Sequence, residues 1–177
     1  MRQMIKLRPG DLFLSENPMA MGVAINAVQR IWSVDSKSKY SHAGIIVDVD
    51  GLTLESLTTV KYQELFKSYA GTDILIARHR HMSLPKFHKG FEEIRKHVGQ
   101  WYPIYRIVFM IVPPIAKYIH FGRLLCSELV FKFLNKTGLT GEDWHGRTPD
   151  NLHDMVKNSK DWTIIFEDKL GDTNGIT

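Results

Sequence analysis

The residue type best suited to nucleophilic chemistry occurs once in this chain, at Cys126. It begins the segment "CSELVFKFLNK", residues 126–136, whose apolar residues recur at helical spacing. A thiol in the first turn of a helix lies near unpaired backbone N–H groups and the positive end of the helix dipole, which favour the thiolate. The same N–H groups can hold the oxyanion of a tetrahedral intermediate. Cys126 is therefore predicted to be a nucleophile; the alternative is a buried, inert side chain.

A thiol nucleophile needs a base within hydrogen-bond reach, and the base needs an orienting partner. Among the eight histidines, His42 in "KYSHAGIIV" stands out because it begins an apolar strand, at an edge where a side chain faces a cleft. His42 is therefore predicted to be the general base. The alternative is a strand-end histidine bonded to a backbone carbonyl.

A metal centre is the weaker interpretation of the remaining histidines. The segment "RHRH" places His79 and His81 on one strand face, but no third ligand lies nearby in the sequence, so a solvated strand edge is preferred. A single cysteine also excludes an internal disulfide and an all-cysteine metal site. We expect neither a metal nor a cofactor.

An ordered set of short segments gives the sequence a family resemblance. "GDLFL", "SHAGIIVD", "LES", "CSELV" and "TPDNL" follow one another between Gly10 and about Leu152. This order resembles the permuted NlpC-type, papain-like cysteine peptidases and amidases of the YaeF/YiiX group, which are related to the lecithin retinol acyltransferase-like enzymes. In that group the histidine strand precedes the cysteine helix, as here. The resemblance implies Cys126 as nucleophile, His42 as base and Glu55 as the orienting acidic group.

Three further residues are predicted to bind substrate. Ser41 and Ser127 are the chain neighbours of the two predicted catalytic residues. Members of the family often carry a Tyr-Asp pair before the cysteine, and this chain has "GQWYPIY" there, with Tyr102 but without the Asp.

The segment "HAGIIVDVDGLTLESL" is predicted to form a β-hairpin around Asp50-Gly51, a strong turn signal. A two-residue turn at these positions pairs Ile46 with Glu55. Glu55 would then share the face of His42 but lie four residues along the strand, roughly 13 Å away. A catalytic contact between them needs a longer loop, a bulge or a strong bend.

The remaining elements indicate an α+β fold with an antiparallel sheet, because helices and strands do not alternate regularly. The resemblance makes this a circularly permuted papain-like fold, with a barrel-like sheet packed against helices and the cysteine at a helix N-terminus. One domain is expected over residues 1–167, followed by a flexible tail over 168–177. Strands are predicted at "GDLFLS", "DILIARHR" and "WTIIFED", and helices over 19–32, from Ser83 to Gly99, from Cys126 to Gly138 and at "TPDNLHDMVKN".

The helix that Ser83 begins is predicted to bury one stripe against the core. Phe87, Phe91, Ile94 and Val98 recur at intervals of four, three and four residues, which places them on one helical face.

Charge and hydropathy narrow the functional classes. The 23 Lys and Arg against 19 Asp and Glu give a net charge of +4, a mild and dispersed excess that argues against a nucleic-acid partner. The N-terminus lacks the apolar core of a signal peptide, and the longest apolar run, 107–116, is about half a bilayer span, so a cytoplasmic protein is expected. The apolar segment 104–119 is predicted to be core or cleft wall; the alternative is a lipid contact.

These residues predict a thiol hydrolase that cleaves an amide bond through an acyl-enzyme. The resemblance suggests peptides, cell-wall peptide stems or acylated amines as substrates. Acyl transfer or lipid-ester cleavage by the same thiol is the first alternative, and a non-catalytic binding module that retains the fold is the second. The sequence does not indicate an oligomeric state.

Overall fold

A computed structural model describes residues 5–16, 39–101 and 124–171 of the chain. The predicted helix over 19–32, the apolar segment 104–119 and Tyr102 lie outside these ranges. The strands are β1 (Leu12–Ser15), β2 (His42–Ile46), β3 (Leu52–Ser56), β4 (Val60–Glu64), β5 (Asp73–His79) and β6 (Trp162–Lys169). The helices are α1 (Leu65–Ser68), α2 (Leu84–Ile94), α3 (Cys126–Thr137) and α4 (Pro149–Asn158), and a 3₁₀ turn over Arg95–His97 follows α2.

The six described strands form one antiparallel sheet in the order β4-β3-β2-β1-β5-β6. The predicted α+β class is confirmed. The predicted barrel-like closure is wrong, because β4 and β6 are the two edges of the sheet and do not pair with each other. The histidine strand β2 lies in the middle of the sheet, where neighbours on both sides fix its position.

Both faces of the central strands are buried, which explains why these strands read as nearly continuous apolar runs. Successive side chains point to opposite faces. Leu12 and Leu14 face the layer of helices α2, α3 and α4, whereas Phe13 and Ser15 face the second side of the sheet. The larger cluster, on the helix side, fixes α3 against β2. The smaller cluster consists of Leu7, Phe13, Ile46, Leu65, Tyr69, Ile74, Ile76 and Leu170.

The β2–β3 hairpin has a longer loop than Asp50-Gly51 alone predicts. Ile46 pairs with Thr53 and Gly44 with Glu55, so the loop spans residues 48–51. The Asp48 carboxylate accepts hydrogen bonds from the backbone N–H groups of Asp50 at 3.0 Å and of Leu52 at 2.8 Å. Asp48 therefore stabilises a wider turn than the predicted two-residue one. The partner of Glu55 moves from Ile46 to Gly44, two residues closer to His42.

The ends of helices α3 and α4 lie where the sequence predicts them, whereas α2 ends earlier than predicted. Thr148 caps α4 by accepting a hydrogen bond from the Asn151 N–H, and Gly138 ends α3 in the left-handed conformation at φ 75°. The predicted stripe on α2 stops early, because the helix ends at Ile94 and the backbone becomes extended at Val98, which is 44% exposed.

Two further observations concern membrane-spanning helices and the last strand. Among the described helices, none is long and apolar enough to cross a membrane. Strand β6 extends to Lys169, two residues past the predicted domain end at 167.

The substitution Gly44→Ala tests how tightly the residues beneath the site are packed. A Cβ at this position would lie 2.5 Å from the Phe13 ring and 3.1 Å from the Cβ of Glu55. We expect Gly44→Ala to lower the free energy of unfolding by about 1–3 kcal/mol in urea titrations. Gly141→Ala is the matched control. Apart from Gly141 and its two neighbours in the chain, no described residue has an atom within 4 Å of the place where the Cβ would be, so the loss of stability should be small. Equal effects of the two substitutions would contradict this account.

Candidate active site

The predicted base, His42, is the first residue of β2 and pairs with Ser15 of β1. Its side chain is only 3% exposed, and its ring lies 5.9 Å from the Phe13 ring. Because an imidazole in such a place has no water to bond, its two nitrogens need partners from the protein. One is Glu55, and the other is Cys126.

Glu55 contacts His42 directly. The observed register places Glu55 opposite Gly44, diagonal to His42 on the same face of the sheet. His42 Nε2 lies 2.6 Å from Glu55 Oε2, and both side chains are buried. Gly44 lies between them without a side chain, which leaves room for this contact. The orienting role that the resemblance implies for Glu55 therefore has a geometric basis.

The Glu55 carboxylate has two further hydrogen-bond donors. The Thr53 hydroxyl donates to Oε1 at 2.7 Å, and the Tyr69 hydroxyl donates to Oε2, the oxygen that also bonds His42. Three donors on a fully buried carboxylate compensate for the water it has lost.

Cys126 is the first residue of α3, as predicted, and is 2% exposed. Hydrogen bonds on both sides hold this helix start in place. The Ser56 hydroxyl donates to the Leu124 carbonyl at 2.9 Å, which ties the end of β3 to the chain before the cysteine. Glu128 accepts the N–H of Leu125 at 3.0 Å and the N–H of Gly146 at 2.8 Å. The carboxylate of Glu128, the third residue of the helix, thus satisfies the backbone N–H of Leu125, the residue before it.

Hydrogen bonding to the His42 side chain and to the backbone N–H groups of Ala43 and Ser127 lowers the pKa of the Cys126 thiol, so these three groups lie next to the sulfur. Since Nε2 of His42 bonds Glu55, Nδ1 is the nitrogen left for the sulfur. The structure therefore brings together all three residues that were predicted to be catalytic.

These contacts shift the protonation equilibria toward charged forms. Burial alone would lower the pKa of His42, but hydrogen bonds and negative charge from Cys126 and Glu55 raise it to about 10. Burial would raise the pKa of Glu55, yet His42, Tyr69 and Thr53 hold it below its ordinary value. Burial also opposes the thiolate, but His42 and the two backbone donors bring the pKa of Cys126 below that of a free thiol. The arrangement favours a thiolate–imidazolium pair beside a carboxylate.

Two of the predicted substrate-binding residues make hydrogen bonds within the fold. The Ser127 hydroxyl donates to the Arg147 carbonyl at 2.6 Å, so it fastens the loop before α4 to the cysteine helix. Ser41 is buried, and its backbone N–H bonds the Ser15 carbonyl at 3.1 Å. Tyr102 lies outside the described residues.

The two histidines of "RHRH" do not form a solvated pair. His79 is buried against the Trp162 ring, whose centroid lies 4.9 Å from its own, whereas His81 follows the end of β5 and is exposed. The described ranges contain no group of three His, Cys, Asp or Glu side chains arranged to hold a metal ion.

Sequence reasoning missed Thr53 and Tyr69. Thr53 lies two residues before Glu55 on the same strand, so the alternation of β3 alone places both side chains on one face. Tyr69 directly follows α1, a four-residue helix that the sequence pattern did not indicate.

Replacing the carboxylate should weaken the charge pair. Glu55→Gln removes the negative charge that supports the His42 imidazolium, so the pKa of Cys126 should move up toward that of a free thiol. The ultraviolet absorbance of the thiolate, followed against pH, reports this shift for the single cysteine of the chain. Cys126→Ala should abolish the signal. An unchanged titration in Glu55→Gln would show that Glu55 does not support the charge pair.

Ser127→Ala tests whether this hydroxyl serves the fold. Loss of its bond to the Arg147 carbonyl should lower the free energy of unfolding by about 1 kcal/mol. The exposed Ser83 makes no side-chain cap bond, so Ser83→Ala is the control and should change stability little. A raised KM with unchanged stability would instead support the predicted substrate contact of Ser127.

Comparison with known proteins finds a protein with the same fold. No protein-family model and no curated protein matches the sequence. The crystal structure of the metalloprotein YiiX from Escherichia coli O157:H7 matches with a TM-score of 0.67 and 15% identity, over 92% of this chain and 98% of that one. A likeness at this identity shows a shared fold alone. The chain thus has a YiiX-like fold, in agreement with its resemblance to the YaeF/YiiX group.

Proposed function

We propose that this protein is a thiol hydrolase that cleaves an amide bond with Cys126 as its nucleophile. The observation that carries the proposal is the buried His42 ring, which lies 2.6 Å from the Glu55 carboxylate and next to the Cys126 thiol, whose pKa it lowers. Nucleophilic catalysis requires a nucleophile in contact with a base, and a base in contact with an orienting group. A cysteine that only fills the core needs neither partner.

The proposed reaction proceeds through an acyl-enzyme. In the thiolate–imidazolium pair His42 already holds the proton of the Cys126 thiol, and the thiolate attacks the substrate carbonyl carbon while backbone N–H groups at the start of α3 hold the oxyanion. When the tetrahedral intermediate collapses, the C–N bond breaks and the His42 imidazolium protonates the leaving amine. His42 then takes a proton from water as the oxygen attacks the thioester carbonyl carbon. The C–S bond breaks, the carboxylic acid leaves, and the Cys126 thiolate is regenerated beside the His42 imidazolium.

The fold supports the proposal in a more limited way. The histidine strand precedes the cysteine helix in this chain, and the YiiX-like fold is compatible with a circularly permuted papain-like domain over residues 1–167. Peptides, cell-wall peptide stems and acylated amines are the proposed substrate classes, by resemblance. No step is assigned to a metal, because the His42 ring is already engaged by Glu55 and Cys126 and the Glu55 carboxylate already accepts three hydrogen bonds.

The decisive experiment combines thiol labelling with acyl-enzyme detection. Iodoacetamide should label Cys126 of the wild type well below the pH at which a free thiol reacts, and His42→Ala should lose this early reactivity. With p-nitroanilide and p-nitrophenyl ester substrates, mass spectrometry should detect an acyl adduct on Cys126. Turnover should fall by about 10²–10⁴-fold in His42→Ala.

The controls separate the proposal from its alternatives. His88→Ala removes an exposed histidine on α2 and should leave both labelling and turnover unchanged. Adducts with esters but not anilides would favour the lipid-ester or acyl-transfer alternative. Equal labelling of the wild type and His42→Ala, together with the absence of any adduct, would favour the non-catalytic binding module.

A further inference from the structure

Tyr69 brings a phenol hydroxyl to the carboxylate of the site. It directly follows α1, and its backbone N–H and carbonyl bond Leu65 and Thr72 at 3.0 Å each. Its ring is buried, lies 5.1 Å from the Phe13 ring and stacks at 6.1 Å and 13° on the His42 ring. Tyr69 is therefore held rigidly on the same side of the sheet as His42.

The Tyr69 hydroxyl donates to Oε2 of Glu55, the same oxygen that lies 2.6 Å from His42 Nε2. Burial and the negative charge of Glu55 raise the pKa of Tyr69 above its ordinary value, so the phenol keeps its proton and remains a donor at every working pH. The buried Ser15 hydroxyl lies close enough to lower that pKa somewhat, although it forms no well-aligned hydrogen bond with the described residues.

A carboxylate held by one donor can rotate about its terminal bond, whose torsional preference is weak. In this site Thr53 fixes Oε1, and Tyr69 fixes Oε2 together with the imidazole of β2. Without the Tyr69 hydroxyl, the contact with His42 would be the only side-chain hydrogen bond that the described residues make to Oε2. The orientation of Glu55, and with it that of the imidazole, would then be less strictly determined.

We propose that Tyr69 is a positioning residue, whose hydroxyl anchors the Glu55 carboxylate in the orientation that holds His42 against Cys126. This inference rests on the proposed function, which supplies the reaction that the positioning serves. Tyr69 acts through Glu55 and His42 rather than on the substrate. The ionisable groups that face its hydroxyl are Glu55 from β3, His42 from β2 and Cys126 from α3.

Tyr69→Phe tests the proposal because it keeps the ring and removes only the hydroxyl. With one donor fewer, the pKa of Glu55 rises, its carboxylate supports the imidazolium less well, and the thiolate forms at higher pH. The rate of Cys126 alkylation rises with pH as the thiolate forms, and this rise is called the alkylation limb. We expect Tyr69→Phe to move the limb up by about one pH unit. Tyr62→Phe makes the same chemical change at a half-exposed tyrosine of β4 and should leave the limb in place.

A double-mutant cycle with Glu55→Gln distinguishes positioning from simple packing. If Tyr69 acts through the carboxylate, Tyr69→Phe should produce no further shift of the alkylation limb in the Glu55→Gln background. Should Tyr69→Phe fail to fold, the double variant should fold, because Glu55→Gln removes the buried carboxylate that lost its Tyr69 donor. Additive shifts, or failure of the double variant to fold, would overturn the proposal.

The same experiment keeps this inference separate from the proposed function. Alkylation requires a reactive thiol but no turnover. A coupled shift in a protein that forms no acyl-enzyme would contradict the hydrolase and leave the positioning role intact. Turnover that falls in Tyr69→Phe with an unchanged alkylation limb would contradict the positioning role and leave the hydrolase intact.

Discussion

The buried contact between His42 and Glu55 is the interaction on which the rest of the site depends. Both side chains are removed from water, so each charge is costly unless the protein supplies partners for it. Within the described ranges Glu55 has three such partners and His42 has two. Several unrelated features serve this one contact: the wide loop that Asp48 stabilises, the missing side chain at Gly44, and the short helix α1 that delivers Tyr69.

The second constraint is the junction between α3 and β2. The thiol meets the imidazole because the helix starts beside the first residue of the strand. The Ser56 and Ser127 hydroxyls donate hydrogen bonds, and the Glu128 carboxylate accepts one, that fix this start to β3 and to the loop before α4. Serine and glutamate directly after the cysteine thus have structural roles. They hold the nucleophile at the start of the helix, where the backbone N–H groups of the first turn are available to the oxyanion of the proposed reaction.

The sequence predicted the parts of the site that local physics determines. Cys126 and His42 were found because a helix start and a strand start are recognisable from a few neighbouring residues. Glu55 was placed on the correct face, but its register was wrong, because the Asp48 side chain competes with the two-residue turn that Asp50-Gly51 favours. Tyr69 was missed, since its contact with Glu55 spans fourteen residues and depends on how α1 packs against the sheet. The barrel-like closure failed for a related reason: the pairing of edge strands is a property of the whole sheet.

The energetic cost of this arrangement bears on its purpose. A buried thiol, imidazole and carboxylate in contact are rarely the most stable way to fill a core. Apolar side chains of similar volume fill the same space without the free-energy cost of removing charged groups from water. The same face of the sheet shows that the protein can place apolar residues there, since Phe13, Ile46 and Ile74 on that face are fully buried. Polar residues at these positions therefore lower stability relative to an available alternative. Such a local exception to an otherwise apolar pattern is expected where a protein binds or reacts, and it supports a chemical role for Cys126.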